Sequence, residues 1–230
     1  MNTGTVVVIG GTSGIGREVA SEYVRRGHSV TITGRDRVRA AMIAKEIGGN
    51  TVGLGLDLAE PTEISPALAV LGEVDHLVIA AVERDANHIE SYDIARATRL
   101  VTLKLVGYAE VVHALASRLG PEASVVLFGG LALARPYAGS TTVTTVNGGV
   151  SSLIRTLACE LAPVRFNAVH PGIIGDSPAW IDKPLDAVID RTPLGRLVTM
   201  AEIVGAVTFL LDNTGVNGVN LNMDGGWLLR

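Results

Sequence analysis

The apolar residues of this chain fall into two kinds of segment. Short, continuous apolar runs rich in β-branched residues alternate with longer segments in which apolar residues recur at helical spacing. The short runs are predicted to be strands: Thr5–Ile9, Ser29–Thr33, Thr51–Leu56, His76–Ala80, Ser124–Phe128, Val164–Val169 and Val219–Asn222. The longer segments are predicted to be helices: Ile15–Arg26, Arg37–Ile47, Tyr92–Leu119, Thr144–Leu161 and Ala201–Leu211.

Most of the predicted strands are apolar throughout rather than alternating, which is typical of strands covered on both faces. Strands that alternate with helices favour a parallel sheet between two helix layers, so we expect an α/β fold of about seven strands. Sheets of this kind bind ligands beyond the carboxyl ends of their strands, where the strand order reverses. Binding and catalytic residues are therefore expected at that edge of the sheet.

Composition narrows the class of protein. The chain has 230 residues, of which 47% are hydrophobic and 18% charged, which is too apolar for a disordered protein. The formal net charge is −4 and no basic block occurs, so no nucleic-acid partner is expected. No linker or internal repeat interrupts the sequence, and we expect one domain spanning residues 1–230.

Cysteine and hydropathy patterns predict the compartment. The single Cys159 cannot form an internal disulfide, and no Cys/His group has structural-zinc spacing, so we expect a reduced, cytoplasmic protein without a metal site. Cys159 lies in an apolar helical segment and is expected in the core. Uninterrupted apolar runs stay below the ~18–20 residues of a membrane helix, and the N-terminus lacks a signal-sequence pattern, so no membrane partner is expected.

A glycine-rich turn follows the first predicted strand and opens the first predicted helix. Glycines there allow a tight turn and let the backbone approach a pyrophosphate, while the helix N-terminus supplies N–H donors and partial positive charge. This context predicts a dinucleotide-binding turn. Its predicted cofactor-binding residues are Gly10, Gly11, Thr12, Ser13, Gly14, Ile15, Gly16 and Arg17.

The run contains the spacing G-x-x-x-G-x-G, and here the chain resembles the short-chain dehydrogenase/reductase family. Further matching segments follow in order along almost the whole chain: Asp57-Leu58, Asn167–Gly172, Arg191–Arg196 and Asn222–Trp227. The resemblance implies a Rossmann-type doubly wound parallel sheet, a nicotinamide cofactor, a small-molecule substrate and a homodimer or homotetramer. It also implies a substrate lid at about 173–198, in which Trp180 suggests an apolar wall. The further cofactor-binding residues that it implies are Asp57, Leu58, Ala80, Ala81, Pro171, Gly172 and Ile173.

The choice of nicotinamide cofactor depends on charge at the end of the second predicted strand. An acid there would hydrogen-bond the ribose hydroxyls of NAD, whereas this chain has Gly34-Arg35, with Arg17 at the start of the first helix. Two guanidiniums flanking one pocket suit a 2′-phosphate, so NADP(H) is favoured over NAD(H). The alternative is that both arginines are solvated, and Asp36 nearby would weaken the preference.

The family's usual catalytic residues are missing. Members of the family usually carry Asn, Ser, Tyr and Lys, and the corresponding residues here are Lys104, Gly130, Val143 and Asn147. The motif after the fourth strand is also altered, to Ile79-Ala80-Ala81-Val82. Carbonyl reduction needs a proton donor as well as a hydride, so a replacement donor is required if the chain is a reductase.

Lys104 and Asn147 have exchanged residue types relative to the family. The two helices are neighbours in the family fold, so the exchange keeps one ammonium and one amide near the cofactor, and both residues are candidate catalytic residues. Lys104 could bind the ribose hydroxyls or serve as the proton donor. Burial beside Val143 and Val146 would lower the pKa of Lys104 and favour proton transfer near neutrality. The alternative is a helix lysine with its ammonium in water. Other candidate donors, each more often structural, are Tyr108, Tyr137, Thr144, Thr145 and His170.

Three functions are consistent with these patterns. The favoured one is an atypical NADP(H)-dependent oxidoreductase that transfers a hydride between nicotinamide and a small carbonyl or alcohol. The second is a catalytically inactive NADP(H)-binding protein with a regulatory or structural role. The third is a lyase or isomerase that uses the fold without net redox chemistry. The retained glycine turn favours cofactor binding, whereas loss of the usual proton donor supports the second and third functions.

Overall fold

Seven strands form one parallel sheet in the computed structural model, which describes residues 4–230. The sheet order is β3-β2-β1-β4-β5-β6-β7, and the order reverses between β1 and β4. Every neighbouring pair of strands runs parallel. The strands are β1 (Thr5–Ile9), β2 (Ser29–Gly34), β3 (Thr51–Gly55), β4 (Val74–Ile79), β5 (Leu119–Phe128), β6 (Arg165–Pro171) and β7 (Asn220–Met223).

Helices cover both faces of this sheet, as predicted for the Rossmann-type fold. They are α1 (Gly14–Arg25), α2 (Arg37–Ile47), α3 (Ile64–Leu68), α4 (Ile94–Val101), α5 (Tyr108–Leu115), α6 (Thr141–Glu160), α7 (Asp186–Ile189) and α8 (Met200–Asp212). A π-helical segment, Thr102–Gly107, joins α4 to α5. Short 3-10 turns occupy Pro61–Glu63, Ile89–Ser91, Ala116–Arg118, Leu131–Leu133 and Trp227–Leu229.

Alternate residues of the central strands supply two separate cores. Leu77 and Ile79 of β4 pack in one core with residues of α3, α5 and α6, whereas Val78 packs in the other with residues of α1, α2 and α8. Successive strand side chains point to opposite faces, so a strand between two helix layers must be apolar at every position. The continuous apolar runs of the sequence have this cause.

Several predicted boundaries shift in the structure. Asp36 caps α2 by accepting a hydrogen bond from the Arg39 backbone, in agreement with the predicted start at Arg37. Thr199 and Glu202 form a capping box that starts α8 at Met200, one residue earlier than predicted. β5 was predicted to begin at Ser124, but it begins at Leu119. The prediction missed residues 119–123 because Gly120 and Pro121 are uncommon in strands. Helices α3 and α7 were missed because each spans only about one turn.

The long helix predicted over Tyr92–Leu119 runs from Ile94 to Arg118, starting after the Asp93 cap. By length and composition alone this 25-residue helix could cross a membrane, although charged residues such as Arg99 and Lys104 keep its uninterrupted apolar runs short, as expected. Its residues Leu100, Leu103 and Tyr108 are buried inside the protein. A buried core helix of a soluble protein has the same composition, so the match is weak support for a membrane span.

Cys159 was expected in the core, and this prediction is wrong. It lies in the last turn of α6 and is exposed. The helix buries Val150, Ile154 and Ala158 on one face, and position 159 falls on the opposite side.

The approach of β3 to α2 generates a stability prediction. A Cβ added at Gly53 would lie 2.2 Å from the carbonyl oxygen of Ala40, so Gly53→Ala should destabilise the protein by about 2–3 kcal/mol. The matched control is Gly205→Ala in α8, where nothing lies within 4 Å of the added Cβ, and which should stabilise the helix by about 0.5–1 kcal/mol. Urea unfolding measures both, and equal effects of the two methyl groups would contradict the packing argument.

Candidate functional site

Two cavities meet at the carboxyl edge of the sheet, beside the point where the strand order reverses. We call the first the glycine-turn cavity, of about 250 Å³, which lies at the ends of β1, β2 and β4. We call the second the apolar cavity, of about 560 Å³, which lies beyond β5 and β6 and beside α6. Val82 and Glu83 line both, so the two cavities adjoin one another.

The glycine turn has the shape that a pyrophosphate requires. Gly10 has φ +84°, and a Cβ there would lie 2.6 Å from the backbone of Ala81. Gly14, the first residue of the 12-residue helix α1, has φ +53° and faces open space, since nothing lies within 4 Å of the point that a Cβ would occupy. The free backbone N–H groups and partial positive charge of this helix end suit an anion. The residues present therefore fit a dinucleotide.

Most of the predicted cofactor-binding residues line one of the two cavities. Those at the glycine-turn cavity are Gly10, Thr12, Ser13, Gly14, Ile15, Gly16, Gly34, Arg35, Asp57, Leu58, Ala80 and Ala81. Those at the apolar cavity are Pro171, Gly172 and Ile173. Gly11 lines neither: its N–H donates to Thr33 O over 3.0 Å, and it packs against Ile32.

Arg17 does not join Arg35 at one pocket, so the expected pair of flanking guanidiniums is wrong. The Arg17 guanidinium lies 3.0 Å from Glu46 at the end of α2, and Arg17 lines a groove on the other side of the turn. As the residue after Gly16 in α1, it projects from the helix toward α2 rather than toward the cavity. Of the two predicted arginines, Arg35 lines the glycine-turn cavity and Arg17 does not.

Arg35 belongs to an ion-pair network that the sequence analysis missed. Arg35 Nη1 lies 2.9 Å from Glu83, and Arg99 Nη2 lies 2.7 Å from Glu83 and 2.9 Å from Asp57. Burial raises the pKa of Asp57, but hydrogen bonds from the Ala59 N–H and the Arg99 guanidinium outweigh it and hold the pKa below its usual value. The network joins loops that are distant in sequence, and no local pattern indicates it.

The apolar cavity brings together the four residues that the sequence analysis assigned to the family's catalytic positions. Lys104, Gly130, Val143 and Asn147 all line it. The π-helical segment packs against α6, where a Cβ at Gly149 would lie 2.6 Å from the Leu105 side chain. The predicted proximity of the Lys104 and Asn147 helices is therefore confirmed.

Lys104 is buried, which excludes the interpretation as a lysine with its ammonium in water. Only 2% of the residue is exposed, and Nζ donates a hydrogen bond to Phe128 O over 2.6 Å. The hydroxyl of Tyr108 donates to Ala81 O over 2.8 Å and lies 3.3 Å from the Phe128 carbonyl oxygen. Burial lowers the pKa of Lys104 to about 7. The amine therefore changes protonation state near neutral pH.

The Asn147 side chain lies next to Gly130, where a larger residue would place its Cβ. A Cβ at position 130 would lie 2.8 Å from Nδ2 of Asn147, so a serine there would displace the amide. The amide of Asn147 thus occupies the region next to the position where the family carries its serine. A side chain at position 130 would therefore require the Asn147 amide to move.

His170 is held by the backbone, as expected for a histidine at a strand end. It is fully buried; its Nδ1 accepts from the Gly130 N–H over 3.1 Å, and its Nε2 lies 2.7 Å from Asn220 Oδ1. Because Nδ1 accepts, Nε2 carries the proton and donates to Asn220. Burial lowers the pKa of His170, so the ring stays neutral and braces the turn at Gly130.

The rim of the apolar cavity contains residues that the sequence analysis did not identify. Arg84 and Asp85 follow Glu83 in the loop after β4, and Arg135 lies beyond β5. The predicted wall residue Trp180 lines the cavity, as does Trp227 from the C-terminal motif. Tyr137 also lines it, whereas Thr144 donates to Ala132 O and Thr145 to Thr141 O. Over residues 4–230, no group of three or more His, Cys, Asp or Glu side chains could hold a metal ion.

Comparisons with known proteins agree with this geometry. The family model described as enoyl-(acyl carrier protein) reductase matches residues 10–228. Carbonyl reductase family member 4 of Danio rerio is 31% identical over 229 residues, covering 96% of each protein. The 3-oxoacyl-(acyl-carrier-protein) reductase of Mus musculus is 29% identical over 226 residues, covering 95% of each. A solved short-chain dehydrogenase/reductase family protein has a TM-score of 0.88 at 30% identity, covering 100% of this chain and 99% of that one.

The buried lysine generates a stability prediction. Its folded pKa of about 7 lies below the unfolded value of 10.5, so the unfolded state binds more protons between these values. The cost of burying the ammonium is complete below pH 7 and declines as the pH rises toward 10.5. Lys104→Met should therefore stabilise the protein by up to about 3 kcal/mol at or below pH 7, and progressively less above it.

Thermal or urea unfolding across pH 6–10 measures this difference. Lys45→Met on α2 is the matched control, because Lys45 is exposed and its variant should show no such pH dependence. A stability difference for Lys104→Met that is constant with pH would show that the amine is solvated in the folded protein.

Proposed function

Because the chain belongs to the short-chain dehydrogenase/reductase family of oxidoreductases, we propose that it transfers a hydride between NADP(H) and a small carbonyl or alcohol, with Lys104 in the role of the missing proton donor. One observation carries the proposal. Lys104 is the buried amine of the apolar cavity, which also contains Asn147 and adjoins the glycine-turn cavity. A proton donor and a hydride site must lie side by side for carbonyl reduction.

The chain's own residues would hold the cofactor along the edge of the sheet. Gly14 and the N-terminus of α1 suit the pyrophosphate, Asp57 and Leu58 suit the adenine end, and Pro171 to Ile173 suit the nicotinamide end. When bound there, the reduced cofactor would supply the hydride. The order of these residues directs the nicotinamide end toward the apolar cavity, next to Lys104.

Lys104 is suited to hold a proton and release it. As an ammonium it has three N–H donors, of which one binds Phe128 O, leaving donors for a substrate oxygen. With a pKa of about 7 it is a far stronger acid than an ordinary lysine, so proton transfer to a developing alkoxide is favourable at neutral pH. In the direction of alcohol oxidation the neutral amine accepts the proton.

Asn147 is suited to orient the substrate. Its Nδ2 lies beside the position where the family's serine side chain would begin, so its N–H groups can donate to the same carbonyl oxygen. The amide cannot act as an acid, but a fixed donor favours the charge that develops on that oxygen. In this proposal Lys104 transfers the proton and Asn147 polarises the carbonyl.

NADP(H) is the cofactor that the adenine end supports better. Arg35 lines the glycine-turn cavity, and its side chain is 68% exposed, so a 2′-phosphate can reach the guanidinium. The carboxylate of Asp36, the nearest acid in sequence, is engaged at the N-terminus of α2 by the Arg39 N–H. Glu83 forms an ion pair with Arg35 and so weakens the preference for NADP(H). Glu83 lies after β4, however, and is not an acid on β2.

An inactive NADP(H)-binding protein is the second candidate, and one observation favours it. Val143 occupies the position of the usual tyrosine, and its side chain has no proton to donate. Tight NADPH binding without oxidation of NADPH across a panel of aldehydes and ketones would support this second function. Conversion of a substrate without change in the nicotinamide absorbance would instead favour a lyase or isomerase.

The proton-donor role predicts a specific loss of turnover. Lys104→Met should lower kcat for carbonyl reduction at pH 7 by about 100-fold or more, because the general acid is gone. NADPH affinity should change much less than kcat, since the residues proposed for the pyrophosphate and the adenine end line the glycine-turn cavity, which Lys104 does not line. Lys104→Arg should be equally impaired because a guanidinium stays protonated at this pH. In the unmodified protein, kcat should decline as the pH rises through about 7.

Two further variants on α6 accompany this experiment. Asn147→Ala should reduce kcat by about tenfold, whereas Thr145→Ala, an exposed position on α6, should leave it unchanged. Full turnover by Lys104→Met would assign the proton to another group.

The cofactor preference predicts different effects of two arginines. Arg35→Gln should weaken NADPH binding by about tenfold and leave NADH binding nearly unchanged, because only NADPH carries the 2′-phosphate. Arg17→Gln is the matched control: its ion pair with Glu46 keeps it out of the cavity, so both affinities should stay within about twofold. Calorimetric titration measures all four constants. If the two variants weakened NADPH binding equally, the prediction that Arg17 and Arg35 bind the 2′-phosphate together would be supported instead.

A further inference from the structure

The chain has three lysines, and they occupy very different surroundings. Lys45 on α2 and Lys183 in the lid segment are exposed, whereas Lys104 is buried and lines the apolar cavity. Much of the wall around it is hydrocarbon, from Leu100, Leu131, Val143 and Val146. Removing an ammonium from water into such surroundings is costly, so burial favours the neutral amine.

No carboxylate offsets this cost. Within residues 4–230, Lys104 makes no ion pair, and its Nζ donates to one neutral acceptor, Phe128 O. The acids that line the apolar cavity are engaged by other groups: Glu83 by Arg35 and Arg99, Asp85 by Arg96, and Asp224 by backbone N–H groups. The ammonium form of Lys104 therefore has no negative partner in the part of the chain that the structure describes.

The other titratable groups near Lys104 supply no negative charge either. Burial lowers the pKa of His170, so its ring is neutral, and burial raises the pKa of Tyr108, so its hydroxyl keeps the proton. The Tyr108 ring lies 5.2 Å from Nζ and offers the ammonium a weak cation–π attraction. Arg84 and Arg135, which also line the cavity, are cations and cannot stabilise a third.

The neutral amine is held in a form suited to attack. It has two N–H groups and one lone pair, and the hydrogen bond to Phe128 O fixes one N–H. No donor among residues 4–230 binds the nitrogen, so the lone pair remains available to a carbonyl carbon. With a pKa of about 7, about half of the amine is neutral at pH 7, against fewer than about one in a thousand for an ordinary lysine. Desolvated lysines in hydrophobic pockets are effective nucleophiles for this reason.

We propose that Lys104 forms a reversible imine with an aldehyde or ketone bound in the apolar cavity. The nitrogen lone pair forms a bond to the carbonyl carbon, the π pair of the carbonyl moves to its oxygen, and a proton passes from the nitrogen to that oxygen. The resulting carbinolamine loses its hydroxyl group and one further proton as water, and the C=N bond forms. The chain gains the carbonyl compound less one water, and no oxidant or reductant is consumed.

This activity goes beyond hydride transfer and uses the other protonation state of the same group. The ammonium donates a proton in the proposed reduction, whereas the neutral amine adds to the carbonyl. Once protonated, an imine stabilises negative charge on the adjacent carbon, so the adduct supports lyase or isomerase chemistry without net redox change. The inference rests on the proposed function only in that a carbonyl compound enters the apolar cavity.

Reductive trapping tests the proposal. We would incubate the full chain, without added cofactor, with 2-pentanone and sodium cyanoborohydride, which reduces an imine to a stable secondary amine. The protein should gain the mass of the ketone less one oxygen atom, and peptide mapping should place this gain on Lys104. At pH 7, Lys104 should be labelled at least about tenfold faster than Lys45 or Lys183, because only its amine is largely neutral. The alcohol 2-pentanol has no carbonyl and should give no labelling.

The pH dependence and matched variants identify the reacting amine. Labelling of Lys104 should fall about fivefold from pH 7 to pH 6, because its neutral fraction falls from about one half to about one tenth. Lys104→Met and Lys104→Arg should abolish this labelling, whereas Lys45→Met should leave it unchanged. The site of labelling is read in the unmodified protein, so the test does not depend on how any variant folds. Absence of labelling at Lys104, or labelling no faster than at Lys45 and Lys183, would overturn the proposal.

These results are distinguishable from failure of the proposed function. Selective labelling of Lys104 without NADPH oxidation by any carbonyl compound would leave the imine-forming amine and remove the reductase activity. NADPH oxidation that requires Lys104, without labelling of its amine, would leave the proton donor and remove the imine.

Discussion

Burial of the Lys104 amine is the constraint on which the site depends. An ammonium held in an apolar cavity loses its hydration, and here one carbonyl, Phe128 O, is its hydrogen-bond acceptor from the protein. The same desolvation that costs stability brings the pKa to about 7 and makes the amine a usable acid. The π-helical segment Thr102–Gly107 places this lysine in the wall of the cavity, and such segments commonly occur at functional sites.

The other departures from the family pattern form a consistent set around this lysine. Gly130 provides the space that the Asn147 amide uses, and His170 holds the Gly130 backbone from below through a neutral ring. Val143 and Val146 add apolar surface to the cavity wall, Val143 at the position that the sequence analysis assigned to the family's tyrosine. This arrangement agrees with the proposed role of Lys104 as the proton donor.

The adenine end shows a second rearrangement, made of charges instead of packing. Arg35, Glu83, Arg99 and Asp57 form one chain of ion pairs across the glycine-turn cavity. Each guanidinium has a carboxylate, so this edge of the sheet is close to neutral.

The sequence by itself determined the layered α/β fold, the glycine turn and the positions at which the family's catalytic residues are replaced. These features depend on local periodicity, on backbone freedom at glycines such as Gly10 and Gly14, and on residue order, all of which are visible along one chain. Only the tertiary structure decided that Lys104 is buried, that Arg17 faces Glu46 and that Arg84 stacks on Trp180. Burial and charge pairing depend on which distant segments come together, and the same residue types in the same order are compatible with a solvated lysine and a phosphate-binding Arg17. Long-range packing selects among them because desolvation and Coulomb energies act through space rather than along the sequence.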